Sequence, residues 1–359
     1  MQTGYLMVFQ NHHEGMTDAE FVKKEMELAV MTEECGFDVC WSAEHHFDSY
    51  SMIPDNLQAL TWVGAKTSKL KLGTAAVILP WNQPIRVAEK LAMLDDLTDG
   101  RMLYGIGRGL ARAEYEAFGI DMEEARPRFN EAAPMIVKAL ETGFIEGDGP
   151  YYPQKRTELR PRPAHSFKGR LYGVAMSPDT IPVVAGLGLN MMFFLQFGIE
   201  AHMAGVETYR EEFFKVHNRQ APPPVIIDVT FCDKDAGRAE EMARKYVSEY
   251  YLSVLEHYEF LADYHRGTKG YESYSAAVDI LKAAGKEQSL EDYVNVQACG
   301  TPQQILDKLE HRRSVVGDFE WMLMMSYAGL PYKDVESSMR LIGKEVLPEV
   351  KSWGIESAA

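Results

Sequence analysis

A glutamate and two adjacent histidines, Glu44, His45 and His46, directly follow an apolar stretch that begins at Phe37. Imidazole titrates near neutral pH, so histidines of this kind commonly transfer protons. They can also bind metal, but the zinc spacings H-x-H and H-E-x-x-H are absent here. A structural role, in which a histidine hydrogen-bonds a neighbouring carbonyl, is a third alternative. We favour proton transfer and expect no metal site.

A second candidate site is the stretch YGIGRGL at 104–110. Gly107 and Gly109 allow close approach of the backbone to a ligand, and Arg108 between them can donate paired hydrogen bonds to a phosphate or carboxylate. Arg112 stands where the third glycine of the dinucleotide fingerprint G-x-G-x-x-G would fall. The stretch therefore indicates an anion site rather than a nicotinamide-dinucleotide site.

The stretch VAMSPDT at 174–180 provides a third candidate. Ser177 and Thr180 flank a predicted helix start, where exposed amides attract anions. Taken alone, Ser177 is better explained as an ordinary helix cap. Combined with Arg108, the two hydroxyls would form a phosphate pocket.

Strand-like and helix-like patterns alternate along the whole chain, and no linker divides it. The eight strand-like runs are GYLMVFQ, FDVCWSA, LKLGTAAVIL, RMLYGIG, LYGVAM, NMMFFLQF, PVIIDVTFC and FEWMLMMSY. This order predicts an α/β fold, a (β/α)₈ TIM barrel formed by residues 1–359 as a single domain, with an open doubly wound sheet as the alternative. In a barrel, the ends of all strands meet on one rim, so the candidate residues would share a site. The polar, tyrosine-rich segment 263–298 is an irregular insertion before the last βα unit and is expected to be a mobile active-site loop.

The composition favours a soluble cytoplasmic protein. The net charge of −16 argues against a nucleic-acid partner, because phosphate binding requires an excess of Lys and Arg. No apolar run is long enough to span a membrane, and the N-terminus has no signal-peptide pattern. The four cysteines have neither metal nor disulfide spacing, which is typical of a reducing compartment.

Several stretches resemble the luciferase-like flavin-dependent monooxygenases, most closely the catalytic-subunit type of bacterial luciferase. They are CGFDVCWSAEHHFDSYS, LKLGTAAVILPWNQPIRVAEKLAMLDDLTDGRMLYGIGRGL, FGIDMEEAR and CGTPQQI, in the family's order along nearly the whole chain. TKGY at 268–271 resembles part of the family's mobile loop. The resemblance implies a barrel that takes reduced FMN from a separate flavin reductase. It further implies that O₂ forms a flavin hydroperoxide, which oxygenates a small apolar organic substrate.

The resemblance also assigns roles to individual residues. His45 matches the histidine whose loss impairs the family's chemistry, and we take the adjacent His46 as a second catalytic candidate. Glu44 matches a flavin-site carboxylate, while Ala75 and Ala76 match small residues, joined by a cis peptide, that lie against the flavin ring. The phosphate contacts that the resemblance implies are Arg108, the amide of Leu110, Ser177 and Thr180.

Three positions depart from bacterial luciferase. Gly107 stands where luciferase has a reactive cysteine, Met176 where it has a glutamate, and Leu195 where it has a tryptophan. These differences argue against light emission and against a long-chain aldehyde substrate. Two other functions stay open, a deazaflavin-dependent hydride-transfer oxidoreductase of the same superfamily and a non-catalytic flavin-binding subunit. The resemblance also implies a homodimer, paired through the helices predicted at 18–34 and 84–98.

Overall fold

The computed structural model describes residues 1–260, Thr268, Tyr271 and residues 285–353. Within these ranges, eight parallel strands alternate with helices along the chain. They are β1 Thr3–Met7, β2 Val39–Ser42, β3 Lys71–Thr74, β4 Met102–Gly107, β5 Leu171–Val174, β6 Asn190–Phe194, β7 Val225–Val229 and β8 Glu320–Met324. Each strand pairs with the next, and β8 pairs with β1, which closes the ring. The predicted (β/α)₈ barrel is therefore confirmed, and the open sheet is excluded.

Helices surround the barrel. They are α1 Asp18–Glu34, α2 Asn56–Gly64, α3 Pro84–Leu97, α4 Arg112–Phe118, α5 Ala125–Thr142, α6 Ile181–Gly186, α7 Ile199–His217, α8 Ala236–Met242, α9 Ser248–His257, α10 Lys286–Val296, α11 Pro302–Val316, α12 Tyr332–Leu341 and α13 Leu347–Ser352. Short π-helical turns join α8 to α9 and α12 to α13. Capping boxes at Thr17 and Thr301 fix where α1 and α11 begin, since each threonine and the residue three positions later bond reciprocally.

The interior of the barrel is filled by large side chains that fit against glycines of neighbouring strands. The indole of Trp41 on β2 lies against Gly4 on β1 and Gly73 on β3, and a Cβ atom added at Gly73 would lie 2.2 Å from the ring. Such close packing of large against small side chains is typical of protein interiors. It explains why these strand positions carry no side chain.

A buried ion pair connects the helical shell to the barrel. Arg312 of α11 donates to both carboxylate oxygens of Asp228 on β7, at 2.5 and 2.9 Å. The indole nitrogen of Trp321 on β8 donates to the same carboxylate at 2.8 Å. Because a buried charge is tolerated only when it is paired and hydrogen-bonded, this cluster fixes α11 against two strands.

The structure differs from the sequence prediction in three segments. The third predicted strand is split, since β3 ends at Thr74 and a two-residue strand, Val77–Ile78, pairs separately with β4. The connection at 143–170 contains an antiparallel ribbon of two short strands. In the segment expected to be irregular, 263–298, α10 is regular helix; the remainder of the expected mobile loop lies largely outside the described residues. No helix in the described ranges combines the length and hydrophobicity needed to cross a membrane.

Candidate functional site

The carboxyl ends of the barrel strands surround a cavity of about 1230 Å³, its open mouth included. The carboxyl ends of the strands are the face on which barrel enzymes carry their active sites. The predicted residues that line it are Glu44, His45, Ala75, Ala76, Arg108, Leu110 and Thr180. His46 and Ser177 are buried nearby but do not line it. The structure thus brings the four sequence-predicted segments to one rim.

His45 uses both of its ring nitrogens. Nδ1 lies 3.0 Å from Oε1 of Glu114 on α4, and Nε2 lies 3.2 Å from the hydroxyl of Tyr258, just after α9. Burial acts to raise the pKa of Glu114, but the neighbouring His45 and the amide of His46 hold that pKa below its usual value. An ionised carboxylate only accepts hydrogen bonds, so the proton of a neutral His45 ring resides on Nδ1 and Nε2 accepts from Tyr258.

Glu114 was not predicted from the sequence. The sequence pattern predicts no element between the YGIGRGL motif and the next predicted helix, and α4 occupies this stretch. The available signal was an acidic residue four positions after the end of the motif, which is also typical of an exposed first helical turn. Only packing shows that its side chain is buried against His45.

The two adjacent histidines have different surroundings. The ring of His46 is buried, with Nε2 3.4 Å from Oε1 of Glu44, and it packs edge-on against Phe118 at 4.8 Å between ring centroids. Its backbone amide donates to Glu114 at 2.8 Å. Of this pair, His45 is the histidine that faces the cavity, and His46 supports the wall behind it.

Glu44 is held in place by three donors. Trp81 Nε1 and Asn82 Nδ2 donate to its Oε1 at 2.7 and 2.8 Å, and the amide of Ile78 donates to Oε2 at 3.1 Å. All three donors lie within residues 78–82, which begin at the second part of the split third strand. The carboxylate is therefore a fixed part of the cavity wall.

Ser177, Thr180 and Arg126 form a compact polar cluster. The two hydroxyls are 2.8 Å apart, and Nη2 of Arg126, at the start of α5, lies 2.9 Å from Thr180 Oγ1 and 3.5 Å from Ser177 Oγ. Neither hydroxyl bonds an amide of α6, so the helix-cap explanation is wrong here. A guanidinium beside two hydroxyls is a donor set well suited to phosphate. Arg126 was not predicted as a site residue, although it ends the quoted stretch FGIDMEEAR.

Arg108 is buried and packs against an aromatic ring. Its guanidinium carbon lies 3.9 Å from the ring centroid of Tyr271, which belongs to the TKGY stretch. The Tyr271 hydroxyl donates to the carbonyl of Gly109 at 3.0 Å, and the hydroxyl of Tyr115 donates to the carbonyl of Arg108. The loop after β4 is therefore fixed from both sides, with a cation at the cavity wall.

The peptide bond between Ala75 and Ala76 is cis, as the resemblance implies. Both residues line the cavity, and Asn56 donates to the carbonyl of Ala76 at 3.1 Å. A Cβ atom at Gly107 on the adjacent strand would lie 3.2 Å from Cβ of Ala76. Three small residues therefore form one narrow wall, against which a flat ring system can lie.

Aromatic side chains from α9 and α10 form another part of the cavity wall. Tyr250 and Tyr251 of α9 and Tyr293 of α10 line the cavity, and the rings of Tyr251 and Tyr293 stack at 4.0 Å. Burial raises the pKa of Tyr251 to about 12, so its hydroxyl stays uncharged at neutral pH. The wall is aromatic and uncharged, which suits an organic ligand.

The sequence profile described as luciferase-like monooxygenase matches residues 1–318. Together with the barrel and the residues on its rim, this match shows that the chain belongs to the luciferase-like monooxygenase family.

Two relatives illustrate the likeness in sequence. The chain is 27% identical to the alkanal monooxygenase alpha chain of Photorhabdus luminescens over 351 residues, which are 97% of this chain and 96% of that protein. It is 30% identical to the oxygenase component of a flavin-dependent trigonelline monooxygenase of Acinetobacter baylyi, over 49% of each chain.

Three solved structures share the fold. Monooxygenase RslO1 of Streptomyces bottropensis has a TM-score of 0.76 at 22% identity, covering 98% of this chain and 100% of that one. The oxygenating constituent of 3,6-diketocamphane monooxygenase of Pseudomonas putida, in complex with FMN, has a TM-score of 0.74 at 18% identity, covering 97% and 98%. A coenzyme F420-dependent tetrahydromethanopterin reductase of Methanopyrus kandleri has a TM-score of 0.68 at 20% identity, covering 97% and 99%.

Proposed function

We propose that the protein is the oxygenase of a two-component system, which takes reduced FMN from a separate flavin reductase and uses O₂ to oxygenate a small apolar organic compound. The observation that carries the proposal is that one cavity is lined both by Thr180, a member of the phosphate-type donor cluster, and by the histidine–carboxylate pair of His45 and Glu114. Both named relatives are monooxygenases, one of them flavin-dependent, and a structural neighbour was solved with FMN.

We assign one end of the FMN molecule to the donor cluster and the other end to the wall of small residues. Arg126 with Ser177 and Thr180 provides a cation and two hydroxyls for the phosphate. The wall formed by Ala75, Ala76 and Gly107 leaves a flat surface for the ring system, because none of these residues has a side chain larger than a methyl group.

Reduced flavin, when bound, would be the group that reacts with O₂. The side chains of the protein control proton transfer and the access of water. Glu114 keeps the Nδ1 proton on His45 and orients the ring, so that Nε2 can exchange a proton with a bound group or with the Tyr258 hydroxyl. The aromatic wall of Tyr250, Tyr251 and Tyr293 limits access of water, which protects reactive species from hydrolysis.

The experiment is a single turnover with purified protein and reduced FMN under anaerobic conditions, mixed with oxygenated buffer. We expect the absorbance of oxidised flavin to return more slowly than with free reduced FMN, and His45→Ala to shorten that delay. His311→Ala is the control, because His311 is an exposed residue that pairs with Glu200 at the surface. If the flavin binds but reoxidises at the free rate, the protein is a non-catalytic subunit.

The deazaflavin alternative has its own outcome in the same experiment. A structural neighbour depends on coenzyme F420, so binding and mixing with oxygenated buffer are also measured with the reduced deazaflavin coenzyme. Tight binding of the deazaflavin, no binding of reduced FMN and no oxygen consumption would contradict the proposal and indicate hydride transfer.

We also propose a homodimer. Met93 and Leu97 on α3 are 54% and 60% exposed, and Val22 on α1 and Trp62 on α2 add to the apolar surface of neighbouring helices. We expect Met93→Lys combined with Leu97→Lys to give monomers in sedimentation velocity. Phe214→Lys on the distant helix α7 is the control, because Phe214 is also 54% exposed. A wild type that sediments as a monomer would contradict the proposal.

A further inference from the structure

His257, the last residue of α9, lies beside His45 and has no role in the function proposed above. Its side chain is only 4% exposed. The ring stacks on Tyr50 at 4.2 Å and meets His45 edge-on at 5.2 Å, between ring centroids. Nδ1 lies 3.0 Å from Oδ2 of Asp48, whereas Nε2 is buried and has no hydrogen-bond partner among the described residues.

The surroundings determine which nitrogen of His257 carries the proton. Nδ1 of His257 and the amide of Tyr50, the latter at 3.1 Å, both lie within hydrogen-bonding distance of the Asp48 carboxyl group. Asp48 is thus an acceptor, and Nδ1 of His257 donates to it. In the neutral ring, Nε2 then presents a lone pair.

A buried lone pair without a donor is unfavourable unless something binds it. Metal-binding histidines characteristically donate their second nitrogen to a carboxylate, which fixes the tautomer and the direction of the free lone pair. The pair formed by Asp48 and His257 has this arrangement.

Two further potential metal ligands lie beside His257. One ligand atom each from His45, Glu114 and His257 can be chosen so that all three lie within 4.8 Å of one another. Two imidazoles, one carboxylate and an open fourth position are a donor set typical of zinc. With bonds of about 2.0–2.2 Å, ligand atoms around a tetrahedral ion lie roughly 3.4 Å apart. The most distant of these atoms would therefore move inward by about 1 Å, and the ion would replace the hydrogen bond between His45 and Glu114.

We propose that His45, Glu114 and His257 bind a divalent transition-metal ion of the zinc type in the flavin-free protein, with Asp48 orienting His257. No metal-binding motif in the sequence predicts this site, because its ligands come from three separate elements and have no short spacing. Binding alone is independent of the proposed function. If that function also holds, an ion on His45 prevents the histidine from transferring protons and so inhibits the enzyme.

The test is equilibrium dialysis of the flavin-free, full-length protein against Zn²⁺, with Co²⁺ absorption as a report on coordination geometry. We expect one zinc ion per chain and a tetrahedral cobalt spectrum, both lost in His257→Gln. Asp48→Asn should weaken binding by about 10–100-fold, the usual effect of removing an outer carboxylate. His202→Gln is the matched control, since His202 is a largely buried histidine of α7 that stacks on Phe193.

Two outcomes would overturn the proposal. One is a wild type that binds no zinc, and the other is zinc binding with unchanged stoichiometry and affinity in His257→Gln, which would place the ion elsewhere. Circular dichroism establishes that each variant is folded. If His257→Gln does not fold, Asp48→Asn decides the question, because an unchanged zinc affinity in that variant contradicts the orientation of His257 by Asp48.

Discussion

Nη2 of Arg126 lies 2.9 Å from Oγ1 of Thr180, although 54 residues separate the two positions in the chain. The contact joins the start of α5 to the turn before α6. It brings a cation to the pair of hydroxyls that the sequence had already suggested as a phosphate site. This relationship distinguishes a phosphate pocket from an ordinary helix start, and it can be tested with a ligand that lacks the phosphate.

We expect Arg126→Ala to weaken binding of reduced FMN by about 10–100-fold, since a hydrogen bond to a charged group contributes about 1.5–3 kcal/mol. Binding of reduced riboflavin, which has no phosphate, should change by less than about 2-fold. Anaerobic fluorescence titration measures both affinities. Arg128→Ala is the control, because Arg128 lies on the same helix and pairs with Glu124. Equal losses for the two ligands would contradict a phosphate contact.

Glu114→Gln tests the histidine–carboxylate pair. The amide keeps the size of the side chain but removes the charge that holds the Nδ1 proton of His45. We expect turnover to fall by a smaller factor than in His45→Ala, for which the loss should be about 10²–10⁴-fold. Affinity for reduced FMN should stay within about 2-fold in both variants. Glu116→Gln, an exposed position on the same helix, should behave as wild type.

The strands and the shared rim could be predicted, whereas part of the site could not. Long apolar runs separated by amphipathic stretches specify a barrel, and residues at strand ends must then meet on one face. Glu114 and Arg126 were missed because a charged residue in a helical stretch has the same pattern whether it faces solvent or a cavity. The orientations of His45 and His46 depend on the loop after Ser42, which has no periodicity.

Gly109→Ala tests the backbone of the loop after β4. Gly109 has a φ of +81°, and an added Cβ would lie 2.8 Å from Cγ2 of Ile78. The control is Gly119→Ala, where φ is +67° but no atom lies within 4 Å of the added Cβ. In the control, backbone strain alone should lower the free energy of unfolding by about 1–2 kcal/mol. Gly109→Ala should lower the free energy of unfolding, measured with urea, by more than the control does. It should also weaken flavin binding. Equal losses of stability in the two variants would show that the contact with Ile78 does not contribute to the effect.

Asp228→Ala tests the buried ion pair. Removal of the carboxylate leaves the guanidinium of Arg312 buried without its partner and the indole nitrogen of Trp321 without an acceptor. We expect a loss of about 3–5 kcal/mol in the free energy of unfolding, measured with urea. Asp318→Ala is the control, because its pair with Arg313 is partly exposed and should contribute less than about 1 kcal/mol. Similar losses of stability in the two variants would show that burial does not determine how much an ion pair contributes here.

Glu25 on α1 predicts a dependence of stability on pH. Burial raises its pKa from 4.5 to about 7, although Ser326 and Tyr332 donate to Oε1 at 2.6 and 3.0 Å. Below about pH 4.5 the carboxyl is protonated in both the folded and the unfolded chain, so its ionisation causes no loss of stability. Between about pH 4.5 and 7 the unfolded chain releases the proton and the folded chain retains it. The folded state therefore loses stability as pH rises through this window, and the loss is complete above it.

The comparison with Glu25→Gln isolates this effect, since the glutamine does not titrate. We expect the free energy of unfolding of wild type, relative to the variant, to fall by on the order of 3 kcal/mol between pH 5 and 8. Urea unfolding at several pH values measures the difference. Any constant offset reflects the amide's own hydrogen bonds, so the change with pH is the quantity that matters. Glu27→Gln, an exposed residue paired with Lys24 on the same helix, should run parallel to wild type. A gap between wild type and Glu25→Gln that does not vary with pH would mean that Glu25 is ionised inside the fold.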